Sequence, residues 1–283
     1  MGHVAQTVAC RPLRSLFPKN ASKIMAKDSA AAAPAGDPPQ PSESTDLADQ
    51  PDAIAPKTLA VDIGGSGTKV IVLDQAGQAV TERARLETPR PATPEAVIAT
   101  VECLAAGQGA FDRVSVGFPG VVRAGITATA VNLDEAWVGF DLATALGERL
   151  GQPVRVANDA DIQGLGAISG QGLELVITLG TGFGSALFYQ GRLIPNLEMA
   201  HHPFRKGETY EEQLGRAALE AEGKKQWNDR LEKAIATLSH LFNYDQLYIG
   251  GGEAKKIKFD LPENASVIPN TMGLLGGIGL WRD

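Results

Sequence analysis

The chain has 283 residues, 43% of them hydrophobic, and a formal net charge of −7. That much apolar material can form one large domain or two smaller ones. The acidic balance argues against a general nucleic-acid binder, which is usually basic, and no uninterrupted apolar run approaches the roughly 18 residues of a membrane helix.

Residues 1–27 contain no Asp or Glu and carry Arg11, Arg14, Lys19, Lys23 and Lys27. This composition faintly resembles an organelle transit peptide, but an unstructured leader, or an upstream start with Met25 as the second candidate, is the simpler reading. Residues 28–56 hold six prolines and almost no large apolar side chain. Such a stretch cannot bury enough surface to offset its ordering entropy. Residues 1–56 are therefore expected to be a disordered tail or linker. The folded part is expected to begin near Pro56.

Two apolar runs, 59–63 and 70–73, flank Gly64, Gly65, Ser66, Gly67, Thr68 and Lys69. The pattern predicts strand, tight turn, strand. Glycines leave room for a turn that aims several N–H groups at one oxyanion. Asp62 ends the first strand, where a carboxylate could hold a metal ion or its waters, and Lys69 adds positive charge. Thr93-Pro94-Glu95 predicts a helix start, followed by Val97, Ile98, Val101 and Leu104 on one face. Residues 114–118 form a strand leading into Gly117-Phe118-Pro119-Gly120. Residues 141–150 are helical. The strand at 154–156 ends at Asn158-Asp159, where another helix begins. Residues 173–179 read as a buried strand running into Gly180-Thr181-Gly182-Phe183-Gly184, and 185–189 with 192–194 as a hairpin around Gln190-Gly191. Two helices, 210–222 and 227–242, break at Gly223. A strand at 246–249 precedes Gly250-Gly251-Gly252, a short strand covers 267–269, and a Gly-rich helix covers 272–280. Strands and helices alternate, so the class is α/β. Two broad units each open with strands around a Gly-rich turn, one from Leu59 and one from Leu173. Duplicated α/β lobes across a cleft fit this pattern, with residues 57–157 as the first lobe and 158–269 as the second. The terminal helix, 270–283, is placed back on the first.

Three Gly-rich turns after predicted strands point to a ligand with several phosphates. Tight chain reversal is the plain alternative for each. A carboxylate at Asp159 projects from a strand end into a cleft, the usual place for α/β ligand sites, and could accept the proton of a substrate hydroxyl. Helix capping is the competing reading for Asn158 and Asp159, and the expected role of Asp161. Glu198-Met199-Ala200-His201 places two side chains where both could bond sugar hydroxyls. Asn132 offers a loop amide, for which turn chemistry is an equal alternative. Lys224, Lys225, Lys255, Lys256 and Lys258 read as a solvated face or a polyanion track. The two cysteines, Cys10 and Cys103, make neither a disulfide framework nor a cysteine zinc site, and the four histidines are scattered. A reducing cytoplasm is the default compartment.

Taken together and in this order, these motifs resemble the ROK (repressor, open reading frame, kinase) family of sugar kinases over residues 59–281, and within it the bacterial polyphosphate glucokinases. The run from Asp62 to Lys69 is similar to the family's first phosphate motif, and Gly117-Phe118-Pro119-Gly120 to its Gly-x-Pro-Gly element. Asn158-Asp159-Ala160 is similar to the motif of the catalytic aspartate, and Gly180 to Gly184 to the second phosphate motif. Glu198-Met199-Ala200-His201 resembles the Glu-x-Gly-His sugar motif, with Ala200 in place of glycine. Gly250-Gly251-Gly252 with the following lysines resembles the nucleotide or polyphosphate end. The resemblance implies an actin-like, ribonuclease H-like fold of two lobes closing on a sugar. It implies Asp159 as the base for the sugar 6-hydroxyl, and Asn132, Asn158, Asp159, Glu198 and His201 as sugar contacts. Asp62 is the implied Mg²⁺-linked carboxylate, and a homodimer is implied. The Cys-rich zinc motif of many members is missing, so no zinc site is expected.

The expected activity is transfer of a terminal phosphoryl group from polyphosphate or ATP to the 6-hydroxyl of glucose. Both donors present a terminal phosphate, and the lysines fit either. Another hexose or N-acetylhexosamine remains open as acceptor. A sugar-sensing regulator would need an N-terminal helix-turn-helix, and residues 1–56 show no amphipathic period for one. An actin-like ATPase without a sugar is opposed by the Glu198/His201 motif.

Overall fold

The apolar runs form two sheets of the same design. The structure, a computed structural model, describes residues 55–130, 133–269 and 272–282. The expected tail at 1–56 thus falls, up to residue 54, outside the described residues. The first sheet is built from β1 (Thr58–Ile63), β2 (Thr68–Leu73), β3 (Ala84–Leu86), β4 (Arg113–Phe118) and, later in the chain, a strand over Val154–Asn158. β1 is buried at nearly every position, as a central strand covered on both faces must be. α1 (Pro94–Ala106) covers one face. Its Thr93 hydroxyl caps the Ala96 N–H at 3.4 Å, Pro94 opens it, and Val97, Ile98, Val101 and Leu104 are buried.

Three short strands follow β4: β5 (Val122–Arg123), β6 (Ile126–Thr127) and β7 (Phe140–Asp141). They form a small antiparallel flap, β5-β6-β7. Trp137, fully buried, anchors it by packing 5.0 Å from Phe118 and donating to the Ala92 carbonyl at 2.8 Å. Then come α2 (Leu142–Leu150), β8 (Val154–Asn158) and α3 (Asp159–Leu165). The second sheet uses β9 (Leu173–Leu179), β10 (Phe183–Tyr189), β11 (Arg192–Ile194), β14 (Gln246–Gly250) and β15 (Ala265–Val267). Between β11 and β14 lie the hairpin β12 (Pro203–Arg205) and β13 (Glu208–Thr209), then α4 (Tyr210–Leu214) and α5 (Arg216–Phe242).

The strand orders are β3-β2-β1-β4-β8 and β11-β10-β9-β14-β15. In each sheet the first three strands meander antiparallel and the last two add in parallel. The two units expected from Leu59 and Leu173 therefore share one topology, and each has its own apolar core.

Two helix expectations need correction. The expected helix over 210–222 is interrupted at Gly215 (φ −64°, ψ 169°), which starts α5, as well as at Gly223 (φ +80°, ψ 163°). The terminal helix is a single turn, α6 (Met272–Leu275), continued by tighter 3-10 turns over Gly276–Trp281. The glycines explain this. A Cβ on Gly276 would overlap the Ile162 carbonyl of α3, and one on Gly166 would come 2.9 Å from both Gly276 N and Met272 O. The last strand pairs over 265–267 rather than 267–269.

The terminal segment lies on the first sheet. Leu274 packs with Ala60, Ile71 and Leu73. Trp281 sits over the Arg155 guanidinium at 4.4 Å and the Arg113 guanidinium at 5.0 Å. Its indole N–H donates to Ser115 Oγ at 2.8 Å, and that hydroxyl donates to the Gly277 carbonyl at 2.6 Å.

Candidate active site

Asp159 is the first residue of α3, at the point where β8 ends. Its carboxylate is open to water on one side and closely surrounded by protein on the others. That enclosure pushes its carboxyl up to about 7. The Asp62 carboxylate adds to the rise and Glu198 adds less, while the Ala160 N–H, bonded to Asp159 Oδ1 at 2.8 Å, opposes it. Asp62 is the penultimate residue of β1 in the first sheet, and Glu198 follows β11 in the second. A carboxylate that feels both stands between the two sheets.

Asn158 is the N-cap of α3. Its Oδ1 accepts the Ala160 N–H at 2.8 Å, and its Nδ2 donates to the Gly120 carbonyl at 3.2 Å. Capping and a tether to the Gly-x-Pro-Gly element thus use one lone pair and one N–H of the amide expected to meet sugar, and leave one of each. Asp161 does not cap. It points into the protein, 1% exposed, where Oδ2 accepts the Asn196 N–H at 3.4 Å. Burial pushes its carboxyl up to about 7, with Glu198 and Asp159 adding to the rise and the Asn196 N–H opposing it. Neutral Asp161 therefore contributes stability that is fully present below its ordinary value of 3.8 and is lost as pH rises through about 7. In the Asp161→Asn variant this titration is gone. Its Tm is expected to fall less than the parent's between about pH 5 and 8, which thermal unfolding followed by circular dichroism will check. Parallel Tm curves would refute it.

Glu198 and His201 face each other with Nε2 and Oε2 3.7 Å apart. Burial raises the Glu198 carboxyl, His201 opposes the rise, and Glu211 adds to it. Asn132 lies outside the described residues.

The first Gly-rich turn joins β1 to β2. Gly64 N–H closes it onto the Gly67 carbonyl at 3.2 Å, so that N–H is turned inward. Asp62 pairs with Lys69 at 2.6 Å. Thr68, which opens β2 after the turn, is fully buried. The second turn, between β9 and β10, closes in the same manner, with Gly180 N–H on the Gly182 carbonyl at 3.1 Å. Arg216 N–H, at the start of α5, donates to the Gly180 carbonyl at 3.0 Å. A helix N-terminus thus adds its positive end beside Thr181. The third turn packs on the second. Gly251 has φ +88°, and a Cβ there would overlap the Leu179 carbonyl, so chain reversal against a neighbouring strand is what that glycine serves. Gly250 faces the Gln163 amide. Lys256 pairs with Glu253, which also holds Arg216 at 2.9 Å.

The sequence model of the ROK family matches residues 58–201. The chain belongs to the ROK family. Two curated relatives extend the likeness. The polyphosphate glucokinase of Mycobacterium tuberculosis (strain CDC 1551 / Oshkosh) is 34% identical over 238 residues, covering 77% of this chain and 88% of that protein. The polyphosphate glucokinase of Mycobacterium leprae (strain TN) is 33% identical over 238 residues, covering 77% of this chain and 72% of that protein. Among solved structures, the inorganic polyphosphate/ATP-glucomannokinase from Arthrobacter sp. strain KM matches with a TM-score of 0.72 at 33% identity, over 80% of this chain and 100% of that one. A ROK family glucokinase from Streptomyces griseus, in complex with glucose and AMPPNP, matches with a TM-score of 0.67 at 20% identity, over 79% and 98%. At that identity it speaks to the fold alone. The fold is the two-lobed, actin-like fold of ROK sugar kinases, with a central cleft.

Two residues of this ROK chain were not singled out from the sequence. Glu211, in the first turn of α4, accepts the Phe183 N–H at 3.2 Å and occupies the space a side chain on Gly182 would need. Its charge also reaches Glu198, whose carboxyl it helps to raise. Thr209 and Glu212 form a capping box, and that Thr-x-x-Glu spacing is the signal that fixes which way α4 faces. Arg85, on β3, donates to the Ser66 carbonyl at 3.1 Å and lies over Gly67. It shares a cross-strand row with Lys69 and Asp62.

Proposed function

We propose that this protein is a glucokinase that transfers a terminal phosphoryl group from polyphosphate or ATP to the 6-hydroxyl of glucose. The observation that carries the reading is the position of Asp159 between Asp62 on the phosphate side and Glu198 on the sugar side. Asp159, as carboxylate, accepts the proton of the 6-hydroxyl as that oxygen attacks the terminal phosphorus, and the bridging P–O bond of the donor breaks, its electron pair leaving with ADP or with the polyphosphate shortened by one phosphate. Glu198 and His201 orient the sugar. The first two turns, Lys69 and Arg85 receive the donor phosphates and stabilise charge on the transferring group. Asp62 is the residue that would hold Mg²⁺. Its hard carboxylate oxygens suit the ion, and a cation there would relieve the repulsion between Asp62 and Asp159. Once bound, Mg²⁺ neutralises charge on the phosphoryl oxygens.

The two halves, 57–157 with the terminal segment and 158–269, are the lobes that close and exclude water in this reading. A homodimer in the cytoplasm belongs to it as well, and sedimentation equilibrium tests the dimer. No helix among the described residues is long and apolar enough to cross a membrane.

The test is a coupled assay that crosses ATP and polyphosphate with glucose, mannose and N-acetylglucosamine. Mannose is included because the Arthrobacter neighbour is a glucomannokinase. Glucose is expected to be phosphorylated, with no donor hydrolysis in its absence. Sugar-independent ATP hydrolysis would favour an actin-like ATPase, and sugar binding without turnover a regulator.

A cavity of about 370 Å³ between α5 and the segment that follows the third turn bears on the donor. Lys224, Lys225 and Lys258 line it, together with Asp229 and Glu232. Asn228 ties it to the segment that follows the turn by donating to the Lys256 carbonyl and accepting the Lys258 N–H. ATP carries three phosphates and a long polyphosphate many, so lysines outside the catalytic cleft favour the longer anion. Removing three exposed charges, each contributing roughly 0.5 kcal/mol, is expected to raise KM for long polyphosphate about tenfold. KM for ATP should change little in the Lys224→Ala, Lys225→Ala, Lys258→Ala triple variant. Equal effects on both donors in steady-state assays would place the track elsewhere.

A further inference from the structure

Loops from opposite halves meet at one side chain. Asn196 lies between β11 and Glu198, on the side of the second sheet. Its Oδ1 accepts the Val122 N–H at 3.0 Å, and its Nδ2 donates to the Val122 carbonyl at 2.9 Å. Val122 is in β5, the flap of the first sheet. Asn196 holds φ +61°, a left-handed conformation that asparagine tolerates better than most residues. Its own N–H donates to Asp161 Oδ2. Asp161 stands two positions after Asp159 in α3, and its other carboxyl oxygen is buried with no partner among the described residues.

The residues on either side of Glu198 are also held. The Leu197 carbonyl accepts the Ser185 hydroxyl at 2.5 Å, and the Met199 N–H donates to Ser185 Oγ at 3.2 Å. Ser185 belongs to β10, so these ties stay within the second half. The Asn196 amide is different, because it spans the cleft. A buried acid with an unmet oxygen costs stability, and an apolar side chain would serve packing better. Its presence here points to a task at the loop it holds.

We propose that Asn196 is a clasp across the cleft, anchored by Asp161, that sets the Glu198 carboxylate against the acceptor sugar and couples sugar binding to closure of the two halves. Both are positioning residues, and the proposal rests on the reading of the chain as a glucose kinase.

The decisive variant is Asn196→Gly, which keeps the left-handed backbone without strain and deletes the amide. Its glucose KM is expected to rise about tenfold or more, with kcat and donor KM within roughly threefold of the parent. Asp161→Leu should behave likewise, whereas Asp161→Asn, which still offers an oxygen to the Asn196 N–H, should restore the parent's glucose KM. A purely structural role would lower Tm without this split between KM and kcat or this rescue. Amide exchange at Val122, read by NMR on the ligand-free protein, is expected to be about tenfold faster or more in Asn196→Gly. A glucose KM within about twofold of an active parent overturns the coupling. Unchanged exchange at Val122 overturns the clasp itself. A parent that turns over no sugar, with exchange still accelerated in the variant, would instead refute the glucokinase reading and leave the clasp standing.

Discussion

Replacing Asp159 by Asn is expected to lower kcat for glucose phosphorylation by about 1,000-fold, while glucose affinity stays within a few-fold of the parent. Asparagine fills the same space and can still bond a hydroxyl, but it cannot take the proton. The loss corresponds to roughly 4 kcal/mol of transition-state stabilisation. What remains comes from alignment of donor and acceptor, which acid–base chemistry does not supply. Single-turnover kinetics paired with calorimetric glucose titration separates the two quantities. A variant that turns over at near the parent rate would remove Asp159 from the reaction.

The same residue sets the pH profile. Enclosure and the Asp62 charge hold its carboxyl at about 7, and the active form is the carboxylate. A cation at Asp62 would relieve part of that rise, so kcat/KM on glucose, measured with Mg²⁺ present, should rise about tenfold per pH unit below a midpoint lower than about 7 and level off above it. A profile flat from about pH 5 to 8 would mean that another group limits the rate.

The second large effect is expected far from the chemistry. Gly276→Ala places a methyl group onto the Ile162 carbonyl at the crossing of α3 and the terminal segment. Neither backbone can yield, because Trp281 and Ser115 fix one and Ala160 is packed against Gly184 on the other side. Overpacking of this kind costs about 3 kcal/mol, a Tm lower by roughly 6–12 °C for a fold of this size. Since α3 opens with Asp159, a shift of about 1 Å there would also reduce kcat on the order of 100-fold. The neighbouring Gly273→Ala is the control: its new methyl meets nothing within 4 Å, and alanine favours a helical turn. If both variants melt with the parent, the crossing is looser than its geometry indicates.

Local chemistry made some elements readable in the sequence. The turn at Gln190-Gly191 has both residues at positive φ, 52° and 75°, which is what a two-residue hairpin turn demands. The Thr93-Pro94 start of α1, the break at Gly223 and the meeting of strand and helix at Asn158-Asp159 are likewise written in single residues. Other features depend on partners distant in the chain. β3 and the flap strands are two or three residues long, too short for any alternation to register, and they pair because the core beneath positions them. Glu211 became a site residue only when the second turn folded back against α4. Asp161 read as a cap from its place at a helix start. Its burial under Asn196 follows from the path of a loop more than thirty positions later. The three Gly-rich turns looked alike, yet Gly251 serves close backbone approach.

One contact has a consequence for how the molecule is made. Ser115 and Gly277, joined by a hydrogen bond, are 162 positions apart. A ribosome adding about 5–20 residues per second leaves roughly ten to thirty seconds between their appearances. Throughout that interval Ala60, Ile71 and Leu73 lack the Leu274 that later covers them, so the nascent chain carries a bare apolar face that a chaperone must shield or a neighbouring polypeptide will find.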